Sequence, residues 1–70
     1  MTKTFYDLYD VIVFDSDENK ALEIAKRADF DLSQLDDEGN NLVYHAENNC
    51  MDNLIEFLKS KGIDRVCAFD

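Results

Sequence analysis

The chain holds no proline and no tryptophan, and only two of its 70 residues, Gly39 and Gly62, are glycine. Such poverty in chain-breaking residues excludes a loop-rich, low-complexity or collagen-like protein and leaves any periodic segment uninterrupted. Cysteine is scarce as well. Cys50 and Cys67 are too few and too far apart for a disulfide framework, and the C-x-x-C spacing of a metal or redox site is missing. No apolar run approaches the roughly 20 residues that span a membrane, and Met1–Thr4 has no leader character. The expected setting is therefore a reducing cytoplasm, with both thiols serving as small core or surface residues. Positive charge is the last shortage: seven Lys and Arg face sixteen Asp and Glu, for a formal net charge of −9 and a pI near 4.2. That balance argues against direct binding of nucleic acid or an anionic membrane, since both need positive potential. It permits docking to a basic surface, including one that normally holds DNA or RNA. The plainer alternative is that the charge serves only solubility.

What is present is ordinary apolar content, 46%, with five Phe and three Tyr. One small domain over residues 1–70 follows, with a modest core. Four helical segments can be read in order. Phe5, Leu8, Tyr9 and Ile12 form a helical stripe over about Phe5–Phe14, although the β-branched run Val11–Val13 is also compatible with a short strand. The turn Asp15–Asn19 is rich in N-capping residues and leads into a helix over about Asn19–Ala28. Ala21, Leu22, Ile24, Ala25 and Ala28 make its apolar side; Lys20, Glu23, Lys26 and Arg27 make its wet side. A polar connector from Asp29 to Asn40 includes a tight turn at Gly39. A short third helix over about Asn41–Asn48 is capped by Asn41. A fourth runs over about Met51–Lys61 on the stripe Met51, Leu54, Ile55 and Leu58, widened by Phe57. Gly62 is placed to close it in the left-handed conformation.

Sliding the chain against itself by about 33 residues pairs Leu22 with Ile55, Ile24 with Phe57, Ala25 with Leu58, Phe30 with Ile63, Asp31 with Asp64 and Asp37 with Asp70. The stretch Asp36–Ala46 resembles the ankyrin opening D-x-x-G-x-T-x-L-x-x-A. Asn48–Leu58 is similar to the second ankyrin helix, and Lys61-Gly62-Ile63-Asp64 to the closing G-A-D. Asn41, Leu42 and Tyr44 depart from the family's Thr, Pro and His, so the standard side-chain bonds of that turn are not implied. The resemblance covers Asp36–Asp64 without a gap. It implies an all-α fold of two stacked helix–turn–helix ankyrin-like repeats, four helices in a short solenoid. Residues 4–35 form a degenerate N-terminal capping repeat, and 36–70 the clear repeat with a C-terminal tail.

Repeat arrays need polar caps. A face of Met51, Leu54, Phe57, Ile63 and Val66 is expected to need a cover, from the tail, from a second copy in a homodimer, or from a partner. Ankyrin-like proteins bind partners with hairpin tips and the concave face of the first helices. By position this selects Asp37, Glu38 and Asn40 at the tip and Asn48 and Asn49 at the end of the third helix, with Asp15 and Ser16 beside the latter pair.

Other chemistry fares worse. Asp15–Asn19 begins like a calcium loop, but Lys20 and Lys26 stand where Gly and a bidentate Glu are needed. His45, Cys50, Asp52 and Cys67 lack metal-ligand spacing, and His45 has no evident Ser or Cys nucleophile. No glycine-rich phosphate loop exists. The expected role is a small acidic protein–protein interaction module without metal or cofactor, not an enzyme, whose partner is a protein with a basic surface. The alternative is an acidic inhibitor or nucleic-acid mimic, of the viral anti-defence or host-takeover kind, that occupies a DNA- or RNA-binding groove.

Overall fold

A computed structural model describes residues 4–68. Met1–Lys3 and the Phe69–Asp70 end of the tail, including the Asp70 paired with Asp37 in the repeat, lie outside them.

The chain is all-α: two helix–turn–helix units, with no strand among the described residues. Helix α1 covers Phe5–Asp10 and continues without a break as a π-helical segment, Val11–Asp15. Helix α2 covers Glu18–Lys26, α3 Leu42–Asn48 and α4 Asp52–Ser60. The β-branched run is thus helical, but wound with the wider turn.

Most helix ends follow from residues next to them. Thr4 and Asp7 form a reciprocal capping box on α1, with Thr4 N–H donating to Asp7 Oδ2 at 2.7 Å. Asp17 caps α2 by accepting from the Lys20 N–H, and Asn41 caps α3 by accepting from the Tyr44 N–H, both at 3.1 Å. Gly62, at φ +81°, ends α4 with the paired bonds of a Schellman motif, Gly62 N–H to Lys59 C=O and Ile63 N–H to Leu58 C=O.

One end does not. Met51 before α4 has no side chain to cap with. Glu18, in the first turn of α2, supplies the acceptor, taking the Asn53 N–H at 2.9 Å and the Leu54 N–H at 3.4 Å on Oε2. A carboxylate at that end also complements the helix dipole.

The core is made by Phe5, Leu8, Val11 and Ile12 from the first helix, Ala21, Ile24 and Ala25 from α2, Leu42, Val43 and Ala46 from α3, and Met51, Leu54 and Leu58 from α4. Small residues at 21, 25 and 46 let the helices approach closely. Tyr9, Leu22, Ile55 and Phe57 are half-buried at its edge. The wet side of α2 is as its pattern indicates, with Lys20, Glu23, Lys26 and Arg27 exposed.

The uncovered end expected beyond the second unit is not present in that form. Met51 and Leu54 are 2% and 0% exposed, because their side of α4 meets the core that α4 shares with α2 and α3. Phe57 and Ile63 are half-buried, and Val66 alone of the five is exposed. The tail turns back along the start of α3. Asn41 N–H donates to Val66 C=O at 3.0 Å, Asn41 Nδ2 to Asp64 C=O at 2.6 Å, and Val66 N–H to Asn41 Oδ1 at 3.1 Å. Ala68 N–H reaches Asn40 Oδ1 at 3.0 Å. The tail thus holds the turn before α3, while Met51 and Leu54 are buried by the packing of the helices.

No helix of the described residues is long and apolar enough to cross a membrane.

Candidate functional site

The turn before α3 is organised by Asp36. Its Oδ1 accepts the Glu38 N–H at 2.9 Å and the Asn40 N–H at 3.0 Å, while Oδ2 lies 2.6 Å from His45 Nε2. Burial raises the pKa of this carboxyl, but the hydrogen bonds from Asn40, His45 and Glu38 prevail and hold it below the usual aspartate value. Gly39, at φ +83°, lets the chain reverse, and its N–H returns to Asp36 C=O. Asp37 and Glu38 are thereby presented at the surface on a fixed loop. Asp37 accepts from the Tyr6 hydroxyl at 3.0 Å, which ties the tip to α1.

The residues expected to bind a partner separate into two groups. Asp37 and Glu38 are exposed at the start of α3. Asp15, Ser16, Asn48 and Asn49 gather at the far ends of the first helices, where Ser16 Oγ donates to Asn49 Oδ1 at 3.1 Å. These two residues are 33 apart, so the repeat spacing places them side by side as expected. Both Ser16 and Cys50 adopt left-handed backbone, at φ 50° and 55°, to turn the chain into α2 and α4. The groups are separated by the length of α3, seven residues or about 10 Å.

Two of the seven have other work. Asn40 is 6% exposed and holds the tail, so it does not belong to the tip surface. Asn49 is half-buried, with Nδ2 donating to His45 C=O at 2.9 Å as well as receiving Ser16. Asp15, Ser16, Asn48, Asp37 and Glu38 remain exposed.

Between the groups runs an aromatic ridge that the stripe-by-stripe reading of the first helix missed. Tyr6 and Tyr9 have ring centroids 5.6 Å apart, Tyr9 and Phe14 6.4 Å, Tyr9 and His45 4.9 Å, and Tyr44 and His45 5.0 Å. Tyr6 is 40% exposed and Phe14 73%. Tyr9 and Phe14 are five residues apart, a spacing that would diverge on an α-helix. The wider turn of the π segment, closed by Ser16 N–H to Val11 C=O, brings them onto one side. Partial burial, then the nearby acidic side chains, raise the pKa of Tyr6 and Tyr9 above the usual tyrosine value.

Among the described residues, acidic side chains predominate around this ridge, with Arg65 reaching its Tyr44 end. No Lys or Arg occurs between Thr4 and Asn19, nor between Ala28 and Leu58, while Asp7, Asp10, Asp15, Asp37, Glu38 and Glu47 all fall in or beside the first helices. Lys20, Lys26 and Arg27 are on or at the end of α2, and Lys59 and Lys61 on or just after α4. Lys61 lies 5.5 Å over the Phe57 ring there. Arg65, on the tail, lies 5.8 Å over the Tyr44 ring and meets Glu47 Oε1 at 3.1 Å.

Elsewhere, Leu22, Lys26, Asn53, Glu56, Phe57 and Ser60 line a shallow open groove between α2 and α4. Cys50 and Cys67 are free thiols. Among the described residues no group of three or more His, Cys, Asp or Glu is placed to hold a metal ion. No protein family, curated protein or solved structure matches the chain.

Proposed function

We propose that this protein is an ankyrin-type partner-binding module, with no catalytic role, that offers the acidic face of its first helices to a basic surface on another protein. The observation that carries the reading is the separation of charge: the first helices and the tip before α3 are free of Lys and Arg from Thr4 to Asn19 and from Ala28 to Leu58. Asp37 and Glu38 stand on a loop held by Asp36, so little order has to be acquired on binding. Asp15 extends the acidic face at its other end. Complementary charge of this kind steers encounter and selects partners. The exposed Tyr6 and Phe14 favour a protein partner over simple imitation of a phosphate backbone, because they add apolar contact. Two free thiols agree with a reducing, intracellular setting.

The test compares the natural chain with a charge-reversed variant carrying Asp15→Lys, Asp37→Lys and Glu38→Lys, each immobilised and exposed to native lysate at rising salt. A basic protein retained by the natural chain and lost from the variant is the expected result. Retention unchanged by the three reversals would sink the reading. Release of the same partner by added DNA or RNA, with steep salt dependence, would instead identify a nucleic-acid mimic.

A further inference from the structure

We propose that the ridge Tyr6–Tyr9–Phe14 is a receptor for an extended, arginine-bearing segment of the partner, with guanidinium groups stacked on the exposed rings and paired with the surrounding carboxylates. This rests on the reading of the first-helix face as the partner-binding surface and names the chemistry that face selects.

Three observations lead to it. Phe14 is 73% exposed beside Asp15, where a solvated helix end gains nothing from a large ring. The ring does not arrive there by default: the π segment Val11–Asp15 turns it towards Tyr9, and such segments concentrate at functional positions. The chain also shows the proposed contact within itself. Arg65 places its guanidinium 5.8 Å over Tyr44 while its Nε meets Glu47 at 3.1 Å, one cation using an aromatic face and a carboxylate together. Tyr6 repeats these elements beside Asp37, and Phe14 beside Asp15, on a stretch with no Lys or Arg from Thr4 to Asn19.

Spacing specifies the ligand further. Successive ring steps of 5.6 and 6.4 Å are close to the two-residue repeat of an extended chain, about 6.6 Å. Arginines at alternate positions of a strand-like segment share one side and can reach the exposed rings of Tyr6 and Phe14 at the two ends of the ridge, with the half-buried Tyr9 set edge-to-face between them. Arginine is preferred to lysine because its planar group stacks and is less strongly hydrated than an ammonium.

The experiment is anisotropy titration of the full chain, at low ionic strength, with labelled peptides of alternating arginine and serine, alternating lysine and serine, and arginines in one block. The alternating arginine peptide should bind about five- to tenfold more tightly than the lysine peptide, the range of a partly desolvated cation–π contact. It should also bind more tightly than the block peptide. Phe14→Ala should remove most of the arginine preference while thermal unfolding stays in place. Equal affinity for arginine and lysine, or a preference that survives Phe14→Ala, overturns the stacking proposal. If both peptides then still weaken on Asp37→Asn with Glu38→Gln, the basic-partner reading stands without it. No binding of any peptide overturns both.

Discussion

Asn41 joins the cap of α3 to the returning tail, and Asn41→Ala should cost more than the loss of an ordinary cap. The residue is 1% exposed and makes three side-chain bonds: it accepts from the Tyr44 and Val66 N–H groups, each at 3.1 Å, and donates to Asp64 C=O at 2.6 Å. Loss of an Asn cap costs about 1 kcal/mol. The Val66 and Asp64 groups left behind cost roughly 1 kcal/mol each, at the low end for unpaired groups because water reaches the exposed tail. The sum is about 2–3 kcal/mol, against a total of roughly 4–10 kcal/mol for a chain of this length. With a urea slope near 1 kcal/mol/M, the midpoint followed by circular dichroism should fall by about 2–3 M. Asn41→Ser separates the two contributions, since serine caps the helix but is too short to hold the tail. It should recover about 1 kcal/mol of the loss while amide exchange at Val66 stays fast. A midpoint shift under about 0.5 M for the alanine variant would refute the assignment of Asn41 as the hub.

Three further outcomes are expected. Glu18→Ala should destabilise by about 1 kcal/mol and Glu18→Gln by a few tenths, as urea unfolding will show, because the glutamine retains an acceptor for the Asn53 N–H and loses only the charge facing α4. Gly62→Ala should cost about 1 kcal/mol from its left-handed backbone alone, with nothing within 4 Å of the added carbon; Gly39→Ala should cost more by the same assay, since the new carbon would meet Ala68 Cβ at 3.2 Å. Asp36 has a lowered pKa when folded, so its contribution is complete above the unfolded carboxylate range and fades as pH falls through the folded value. Asp36→Asn should flatten that acid limb of stability. Tyr6 and Tyr9 are raised, so their contribution is complete below the unfolded tyrosine pKa and fades as pH climbs through the folded values, with ultraviolet titration showing two late phenols.

Much of this architecture was legible in the chain because the deciding interactions are short-range. Asn41 as a cap, Gly62 as a left-handed stop and the apolar stripe of α4 each depend on residues within one or two turns. The repeat spacing carried the pairing of Ser16 with Asn49, since two like units bring equivalent positions together. The Val11–Val13 run was ambiguous between strand and helix, and intrinsic preference could not indicate a π turn.

Other features depend on residues distant in sequence, which no local pattern encodes. Glu18 caps a helix 35 positions away, and the acceptor of a helix N-terminus reads from sequence only when it is adjacent. Asn40 resembles a polar tip residue until the returning tail takes its amide inward, and Met51 and Leu54 resemble an open end until α4 meets its neighbours. The acidic balance was evident from composition alone. That it borders a ridge whose Tyr6 and Phe14 rings are exposed depends on how α1, its π segment and α3 pack, because only packing sets which side of each helix is left to solvent.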